Sequence, residues 1–155
     1  MSSADALKAS VPAVAVGATG LVTFGTLTAT MMQALDTTIA NVALPHMQGS
    51  LSASQEQVAW VLTSYIVASA IATTPTGYLA NRYGIKRVFL IAVAGFTLAS
   101  MLCGVASSLT EIVFYRLLQG VFGAALVPLS QTTLLDSYPP EKQGAAMAAW
   151  GVGVM

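Results

Sequence analysis

Charged residues are scarce in this sequence. Six Lys or Arg and six Asp or Glu make up 8% of its 155 residues, and the formal net charge is zero. Soluble domains carry roughly 25% charged residues, so the composition excludes a soluble globular domain as the main architecture. The only local concentration of basic residues lies between Arg82 and Arg87. Neither a nucleic acid nor an acidic surface is therefore an expected partner.

Cysteine and histidine are almost absent. Cys103 is the single cysteine and lies in an apolar run. It allows no intrachain disulfide, predicts no metal site and is interpreted as a small buried hydrophobe. His46 is the single histidine, and no base stands beside Ser130 in the sequence. Because no catalytic constellation is visible, neither catalytic residues nor a metal is predicted, and enzymatic activity is not expected.

Apolar residues are abundant: they make up 55% of the sequence, and the mean hydropathy is +0.74. A bilayer core about 30 Å thick needs about 20 apolar residues per helix. Turn-forming residues separate five apolar segments, which cover about residues 20–43, 58–79, 88–106, 111–135 and 145–155. The sequence therefore predicts an all-α membrane protein with about four complete helices and the start of a fifth.

The segment ends carry ordinary helix signals. Ser54 followed by Gln57 resembles a capping box for the second helix, and Thr110 followed by Glu111 is expected to cap the fourth. The first apolar run begins near residue 11, and Lys8 is the only basic residue before it. This run is too long for the apolar region of a cleavable signal peptide. We therefore expect a retained first helix that follows a mostly cytoplasmic segment, residues 1–19.

The basic residues outside the apolar segments indicate the orientation. All of them would lie on one side of the membrane, and the remaining connections have none; they are Lys8, Arg82, Lys86, Arg87 and Lys142. Cytoplasmic loops are enriched in Lys and Arg. The pattern predicts a multi-pass protein whose N-terminus and 80–87 connection face the cytoplasm.

Two charged residues lie inside predicted spans, Asp36 in the first and Arg116 in the fourth. An isolated charge there costs several kcal/mol or more, so neither belongs on a lipid-facing surface. Helical periodicity gathers polar and small residues into one stripe on each helix, within arcs of about 140° and about 120°. The stripes contain Thr23, Thr26, Thr30, Gln33, Asp36, Thr37 and Asn41 on the first helix and Arg116, Gln119, Gly120, Gly123 and Ser130 on the fourth. Two polar stripes predict a shared interior or a water-filled cavity.

Asp36 and Arg116 are expected at similar depth. Asp36 lies about 13 Å below the outer end of its helix and Arg116 about 9 Å below the start of its own. A nearby guanidinium favours the charged carboxylate and removal from water favours the neutral acid. These two effects oppose each other and can leave Asp36 able to exchange a proton. The alternative is a static buried ion pair that fixes helix packing. For Gly120 and Gly123, close helix contact is the alternative to cavity lining.

Three motifs occur in order along the chain. Residues 35–45 read LDTTIANVALP, residues 77–87 read GYLANRYGIKR and residues 116–120 read RLLQG. Together they resemble the major facilitator superfamily, specifically its EmrB/QacA-type drug:proton antiporters with fourteen helices. The likeness covers roughly residues 20–155. It implies a major facilitator-type transmembrane helix bundle, with residues 1–155 as the N-terminal part of the first bundle.

The resemblance implies roles for the intramembrane residues. The first-helix motif is characteristic of the antiporter branch, in which its aspartate, here Asp36, is functionally important. The fourth-helix motif contains an arginine, here Arg116, that is implicated in proton coupling. In the inverted repeats of the superfamily the first and fourth helices are equivalent and face the central cavity. Residues expected to line that cavity or contact substrate are Gln33, Thr37, Asn41, Gln119, Gly120 and Gly123.

The motif at residues 77–87 is similar to the superfamily's connection between the second and third helices. There, glycines permit tight turning and basic residues contact helix ends across the domain interface. The resemblance implies a conformational-switch loop that contains Gly77, Asn81, Arg82, Gly84, Lys86 and Arg87. Aspartate is usual at the position of Asn81 and a basic residue at that of Ile85. The contacts of this connection with helix ends across the domain interface are called the clamp below. Both departures weaken the expected interaction between charges and helix dipoles in the clamp.

The sequence thus predicts a proton-coupled antiporter of the cell (inner) membrane that exports hydrophobic or amphipathic small molecules such as drugs, driven by a proton gradient without a cofactor. Similar pumps of double-membrane bacteria work with a periplasmic adaptor protein, which is a candidate partner besides the substrate and the lipid bilayer. The alternative is a non-transporting membrane scaffold or sensor with a transporter-like fold, supported by Asn81 and Ile85. Because alternating access needs two bundles, this segment by itself is not expected to transport.

Overall fold

The computed structural model describes residues 14–51 and 54–154, which form helices joined by short turns. The helices are α1 (Val14–Leu51), α2 (Gln55–Tyr83), α3 (Ile85–Val105), α4 (Leu109–Gly123), α5 (Leu126–Ser137) and α6 (Pro140–Val154). No strand occurs within those two ranges. The predicted all-α architecture is therefore confirmed. The N-terminal stretch up to residue 13, with Lys8, and Met155 lie outside the described residues.

α4 and α5 together form one nearly continuous unit, which corresponds to the predicted fourth helix. Ala124 and Ala125 lie between them and keep right-handed helical backbone angles. The Ala124 N–H donates to the Gly120 carbonyl oxygen at 3.0 Å, and the Ala125 N–H donates to the Phe122 carbonyl oxygen at 3.4 Å. The second bond closes a tighter, 3₁₀-like turn, which marks a local irregularity inside the span.

Three helical units in the described part of the chain are long and apolar enough to cross a membrane: α2, α3 and the α4–α5 unit. α1 is longer, at 38 residues, but it carries the polar stripe of the first helix and is not one of the three. Large apolar side chains such as Ile71, Leu98 and Phe114 are exposed on the outer faces. This distribution is expected of helices that face lipid, where each helix must satisfy its own backbone hydrogen bonds.

The helices extend beyond several of the predicted segments. α1 covers Val14–Leu51 instead of 20–43 and passes through Pro45, so the expected connection at 45–57 is much shorter. Proline costs a helix one backbone hydrogen bond and crowds the preceding turn, and α1 continues past Pro45 despite this cost. α6 begins at Pro140 rather than near residue 145, because proline is well suited to the first helical position.

Gly84 alone separates α2 from α3. Its φ is +90°, in the left-handed region that glycine adopts without a Cβ penalty, and its N–H donates to the Ala80 carbonyl oxygen at 2.9 Å. The expected eight-residue connection at 80–87 is therefore wrong in extent, because one positive-φ glycine makes the turn. The basic residues assigned to the switch loop lie on the last turn of α2 and the first turn of α3.

The helix caps partly follow the expectation. Ser54 forms the predicted capping box: its Oγ accepts from the Gln57 N–H at 3.2 Å, and its own N–H donates to Gln57 Oε1 at 2.9 Å. The fourth helix is capped by Ser108 rather than Thr110, since Ser108 Oγ accepts from the Glu111 N–H at 3.3 Å. The helix begins one residue before Thr110, which places that residue inside the first turn.

The core lies between α2, α3 and the α4–α5 unit. Phe96 of α3 and Leu126 of α5 are fully buried, and Tyr65 of α2 belongs to the same cluster. α1 packs mainly against α5, with further contacts to α2 and α6. This arrangement places the polar face of α1 against the interior of the bundle.

Candidate functional site

Asp36 of α1 and Arg116 of α4 form an ion pair inside the bundle. Arg116 Nη1 donates to Asp36 Oδ2 at 2.6 Å, although the two residues are 80 positions apart in the sequence. The Arg116 and Asp36 side chains are only 7% and 11% exposed. A charge-assisted hydrogen bond is roughly twice as strong as one between neutral groups. The structure thus brings together the two charges that the sequence placed at similar depth, and their role in proton coupling stays a prediction.

Each partner is positioned by the polar stripe of its helix. On α1, Thr26 and Thr30 are buried and Asp36 follows on the same side, whereas Phe24 and Leu35 on other sides are exposed. On α4 the buried residues are Ile112, Arg116, Gln119, Gly120 and Gly123. Because each helix buries its polar stripe, the carboxylate and the guanidinium meet in the interior instead of facing lipid.

Tyr65 of α2 adds a third helix to the site. Gln33 Nε2 donates to the Tyr65 hydroxyl at 3.1 Å, and Tyr65 also packs against Gly120 and Gly123 of α4, the helix that carries Arg116. Sequence reasoning missed Tyr65, because α2 carries no polar stripe around it. Its position on a face occupied by Val58, Val61 and Ala68 indicated only a core aromatic.

Gln119 and Cys103 form a polar contact on the α3 side of the site. Gln119 is fully buried, and the Cys103 thiol donates to Gln119 Oε1 at 3.7 Å, a weak sulfur hydrogen bond. Gln119 Nε2 is buried without a hydrogen-bond partner among the described residues, and so is Arg116 Nε. Cys103 is partly exposed rather than fully buried. It therefore supports a polar residue of the site and is more than the apolar filler that the sequence indicated.

Gly120 and Gly123 lie at close contacts between helices. A Cβ on Gly120 would lie 2.4 Å from the Tyr65 carbonyl oxygen, and one on Gly123 would lie 3.1 Å from both Phe96 and the Tyr65 hydroxyl. Both glycines therefore let α2 and α3 approach α4, which supports the close-contact alternative for them. Their expected part in lining a cavity stays a prediction.

Thr37 and Asn41 bond to their own helix. Thr37 Oγ1 donates to the Ala34 carbonyl oxygen at 2.9 Å, and Asn41 Nδ2 donates to the Thr37 carbonyl oxygen at 2.9 Å. Neither bond joins them to the ion pair, and Asn41 is exposed. The two residues extend the polar face of α1 beyond Asp36, as the periodicity indicated, and their contact with substrate remains untested.

A separate hydroxyl cluster ties the first half of α1 to α5 and α6. Thr30 Oγ1 donates to Ser130 Oγ at 3.3 Å and accepts from Trp150 Nε1 at 3.3 Å. The Thr23 and Tyr138 hydroxyls share a hydrogen bond of 3.0 Å. This part of the predicted polar stripe therefore serves helix packing. Trp150 was not identified from the sequence, because its partner on α1 lies 120 residues away.

The predicted switch residues lie at the α2–α3 junction, far from the ion pair. Gly77, Asn81, Arg82, Gly84, Lys86 and Arg87 are all exposed. Arg82 lies over the ring of its neighbour Tyr83, with the guanidinium carbon 6.0 Å from the ring centroid. Gly84 follows Tyr65 by 19 residues, about 28 Å along the helix axis. The structure therefore does not bring the switch residues together with Asp36 and Arg116.

The chemistry available at the ion pair is proton exchange by a carboxylate. Arginine stays protonated in proteins, whereas a carboxylate accepts one proton and then becomes a hydrogen-bond donor. Of the two partners, Asp36 is thus the group that can change its charge. Within the described ranges, no group of three or more His, Cys, Asp or Glu residues could hold a metal ion.

Comparison with known proteins identifies close relatives. The chain is 46% identical to "Multidrug export protein EmrB" of Haemophilus influenzae over 144 residues, which are 93% of this chain and 28% of that protein. It is 45% identical to "Probable multidrug resistance protein EmrY" of Escherichia coli over 151 residues, 97% of this chain and 30% of that protein. It is 48% identical to "Fatty acid resistance protein FarB" of Neisseria gonorrhoeae over 127 residues, 82% of this chain and 25% of that protein.

The chain therefore spans less than a third of the length of these relatives. A family model described as "Major Facilitator Superfamily" matches residues 26–155, which include α1 from Thr26 onward and all later helices. The match agrees with the helical architecture. This chain is part of a multi-pass membrane protein and belongs to the major facilitator superfamily.

Proposed function

We propose that the whole protein to which this chain belongs is a proton-coupled antiporter that exports hydrophobic or amphipathic small molecules. The observation that carries the proposal is the buried ion pair between Asp36 and Arg116 at 2.6 Å. The pair supports the proposal because its carboxylate lies on the polar face of α1, inside the bundle. The chain covers less than a third of its relatives, so the activity belongs to the longer protein.

In the proposed cycle, Asp36 alternates between two forms. The ionised carboxylate pairs with Arg116, so the two charges cancel. Protonation makes Asp36 neutral and leaves the Arg116 guanidinium without its counter-charge inside the bundle, which is unfavourable unless the surroundings compensate. The proton is therefore held only in a conformation that offers such compensation. This dependence links the proton to the conformation, as antiport requires.

The substrate class rests on the relatives and on the composition of the site. Two of the relatives are named for multidrug export and for fatty acid resistance. A fatty acid has a long apolar chain, which agrees with a polar site enclosed by an apolar bundle. The residues proposed to face the substrate are those of the α1 and α4 stripes, with Gln33, Thr37, Asn41 and Gln119 as polar members. The driving force is the proton gradient, without a cofactor.

The protein is proposed to lie in the cell (inner) membrane with its N-terminus and the α2–α3 junction in the cytoplasm. Support comes from Arg82, Lys86 and Arg87, which are exposed together at that junction, since basic residues favour the cytoplasmic side. A periplasmic adaptor protein is proposed as a partner on the basis of the resemblance to pumps of double-membrane bacteria. Co-purification of the full-length protein with periplasmic components tests that partner.

A non-transporting scaffold or sensor is not favoured. Its support consisted of Asn81 and Ile85, which depart from the usual motif in the α2–α3 connection. Loss of function would be expected to affect the charged residues inside the membrane first, because they are costly to retain. Asp36 and Arg116 are both present and paired.

The decisive experiment is efflux by the full-length protein in vesicles with an imposed proton gradient. Ethidium, a lipophilic cation that fluoresces, serves as the probe. We expect export that stops when an ionophore collapses the gradient, and we expect the Asp36→Asn protein to bind ethidium without gradient-driven export. Thr28→Val is the matched control, because Thr28 is exposed on α1 and bonds only to the backbone of its own helix in the described structure.

Two results would reject the proposal. Export by the unaltered protein that continues after collapse of the gradient would show that protons do not drive it. Full gradient-driven export by the Asp36→Asn protein would show that Asp36 does not carry the proton. Equal loss of export in the Thr28→Val control would point to a general effect of substitutions on α1.

A further inference from the structure

Gln33 holds a buried acceptor that has no partner. Its Nε2 donates to the Tyr65 hydroxyl at 3.1 Å, which fixes the amide between α1 and α2. Its Oε1 is buried and accepts no hydrogen bond from the described residues. Buried polar groups are nearly always hydrogen-bonded, because leaving one unpaired is costly. A donor for Gln33 Oε1 is therefore expected in some state of the protein.

The side chain best placed to supply that donor is Asp36. It follows Gln33 by three residues on the same helix, and side chains at this spacing are neighbours with Cβ atoms about 5–6 Å apart. Gln and Asp at this spacing form hydrogen bonds on helix surfaces. In the ionised state Asp36 has acceptors only, and its Oδ2 is bonded to Arg116. After protonation the carboxyl group has one O–H donor.

We propose that Gln33 Oε1 accepts the hydrogen bond of the protonated Asp36 carboxyl group, so that Gln33, held by Tyr65, selectively stabilises the proton-loaded transporter. The inference rests on the proposed function of Asp36. In the proton-loading step the carboxylate gains one proton from water, its bond to Arg116 breaks, and the new O–H donates to Gln33 Oε1. The reverse step returns the proton to water and restores the ion pair.

The other ionisable groups around Asp36 do not supply this acceptor. Arg116 of α4 is bonded to Asp36, Tyr65 of α2 is bonded to Gln33, and Cys103 of α3 is bonded to Gln119, which follows Arg116 by three residues on α4. Arg116 favours the ionised carboxylate, while a tyrosine and a cysteine thiol are ordinarily neutral near pH 7. On the α5 and α6 side, Tyr138 contacts α1 at Thr23, which lies 13 residues before Asp36, about 20 Å along the axis. In this proposal Arg116 therefore stabilises the ionised Asp36 carboxylate, and Gln33 stabilises the protonated carboxyl group.

The orientation of the Gln33 amide decides the sign of the effect. With Nε2 on Tyr65, the oxygen remains for the protonated carboxyl group. With the amide reversed, Nε2 would donate to the carboxylate and Gln33 would stabilise the ionised state instead. The two orientations predict opposite shifts in a titration of Asp36, so a measurement on Asp36 itself separates them.

The measurement is an infrared titration of the full-length protein in lipid. The C=O stretch of a protonated carboxylic acid is followed against pH, and the Asp36 band is identified by its absence in the Asp36→Asn protein. Gln33→Leu removes the acceptor at similar size, and Gln33→Met is the second variant if the first does not fold. Thr38→Val is the matched control, because Thr38 is exposed on α1 and bonds only to the Ala34 carbonyl oxygen in the described structure.

We expect the midpoint of the Asp36 band to move to lower pH by about 0.5–1 unit in the Gln33 variants, the amount that one net hydrogen bond corresponds to. The band should also move to higher frequency, because the C=O of a carboxyl group that has lost its hydrogen bond is stiffer. Tyr65→Phe should cause a smaller shift in the same direction, since it releases the amide without removing it. The Thr38→Val titration should match that of the unaltered protein.

Three outcomes overturn the inference or its basis, and they are distinguishable. An Asp36 band that titrates identically with and without Gln33 means that Gln33 is not the acceptor. A shift of the midpoint to higher pH means that the amide donates to the carboxylate. Absence of any titrating Asp36 band, or gradient-driven export by the Asp36→Asn protein, refutes the proposed function of Asp36 and not the role of Gln33 alone.

Discussion

Replacing Gly120 with alanine perturbs the closest approach of α4 to α2. The added Cβ would lie 2.4 Å from the Tyr65 carbonyl oxygen, 2.9 Å from the Ala68 Cβ and 3.2 Å from the Ser69 nitrogen. Two of these atoms belong to the backbone, so rotation of a side chain cannot relieve the overlap. Ordinary van der Waals contact begins near 3.4 Å. The helices must therefore separate by about 1 Å at this level, the difference between that contact and the 2.4 Å overlap.

The magnitude follows from two opposed effects. Forcing one extra methyl group into a packed interior typically costs about 1–3 kcal/mol, and an overlap with rigid backbone places Gly120→Ala near the upper end. Alanine is also the better helix former, by about 1 kcal/mol. Gly104→Ala isolates the second effect, because nothing lies within 4 Å of a Cβ at Gly104. The difference between the two variants is therefore about 2–3 kcal/mol, with Gly120→Ala the less stable.

The assay is unfolding of the full-length variants in mixed micelles, with the fraction of native helix followed against denaturing detergent. Gly95→Ala is a useful third variant. Its Cβ would lie 2.4 Å from the Phe122 ring, so the overlap is with a side chain that packs against the core and not with helix backbone. We expect it to be less destabilised than Gly120→Ala. Equal unfolding midpoints for Gly120→Ala and Gly104→Ala would refute the close contact of α2 with α4. Cavity lining would then remain as the explanation for a glycine at position 120.

Three further predictions concern the ion pair, the α2–α3 junction and the orientation of the chain in the membrane. Asp36→Asn and Arg116→Ala should each abolish coupled export, and the double variant should regain stability but not export, as measured by unfolding and by vesicle efflux. If the pair were purely structural, neutralising one partner would cost about 3–5 kcal/mol and the double variant would regain both stability and export. Asn81→Asp should leave folding intact and shift the inward/outward population in spin-label distance measurements on the full-length protein; unchanged distances would mean that the clamp is absent or already complete. A cysteine at Tyr83, in a background without Cys103, should react with impermeant reagents only from the cytoplasmic side, and labelling from outside intact cells would reverse the orientation.

The ion pair could be predicted from the sequence because helical periodicity is a local property. An aspartate and an arginine inside apolar spans must avoid lipid, and periodicity places each of them on the polar stripe of its helix. The depth count was less secure, because α1 ends at Leu51 and not near Pro45. The helix lengths could not be predicted equally well. Pro45 is ordinarily a stop signal, because proline lacks an N–H and its ring crowds the preceding turn, but α1 continues past it to Leu51.

Tyr65 and the contacts of Gly120 could not be derived, because they depend on which helices are neighbours. A tyrosine among apolar residues gives no periodic signal, and its hydroxyl matters only because Gln33 of another helix reaches it at 3.1 Å. The glycines indicated a close contact without identifying its partner. The pairing of Thr30 with Trp150, 120 residues away, has the same origin. Such pairs are set by helix packing and not by any one segment.

The location of the ion pair constrains how a proton can act on the proposed transporter. Asp36 and Arg116 belong to α1 and α4, which pack in one bundle with α2 between them at Tyr65. Breaking the pair therefore releases no contact across the α2–α3 junction, about 28 Å away along α2. What protonation changes is the charge at the polar face, from zero to plus one, at residues about one-tenth exposed. A positive charge there disfavours a cationic substrate and attracts an anionic one. The proposed coupling is thus a competition of charges at one site, and that site is separate from the proposed switch residues at the α2–α3 junction.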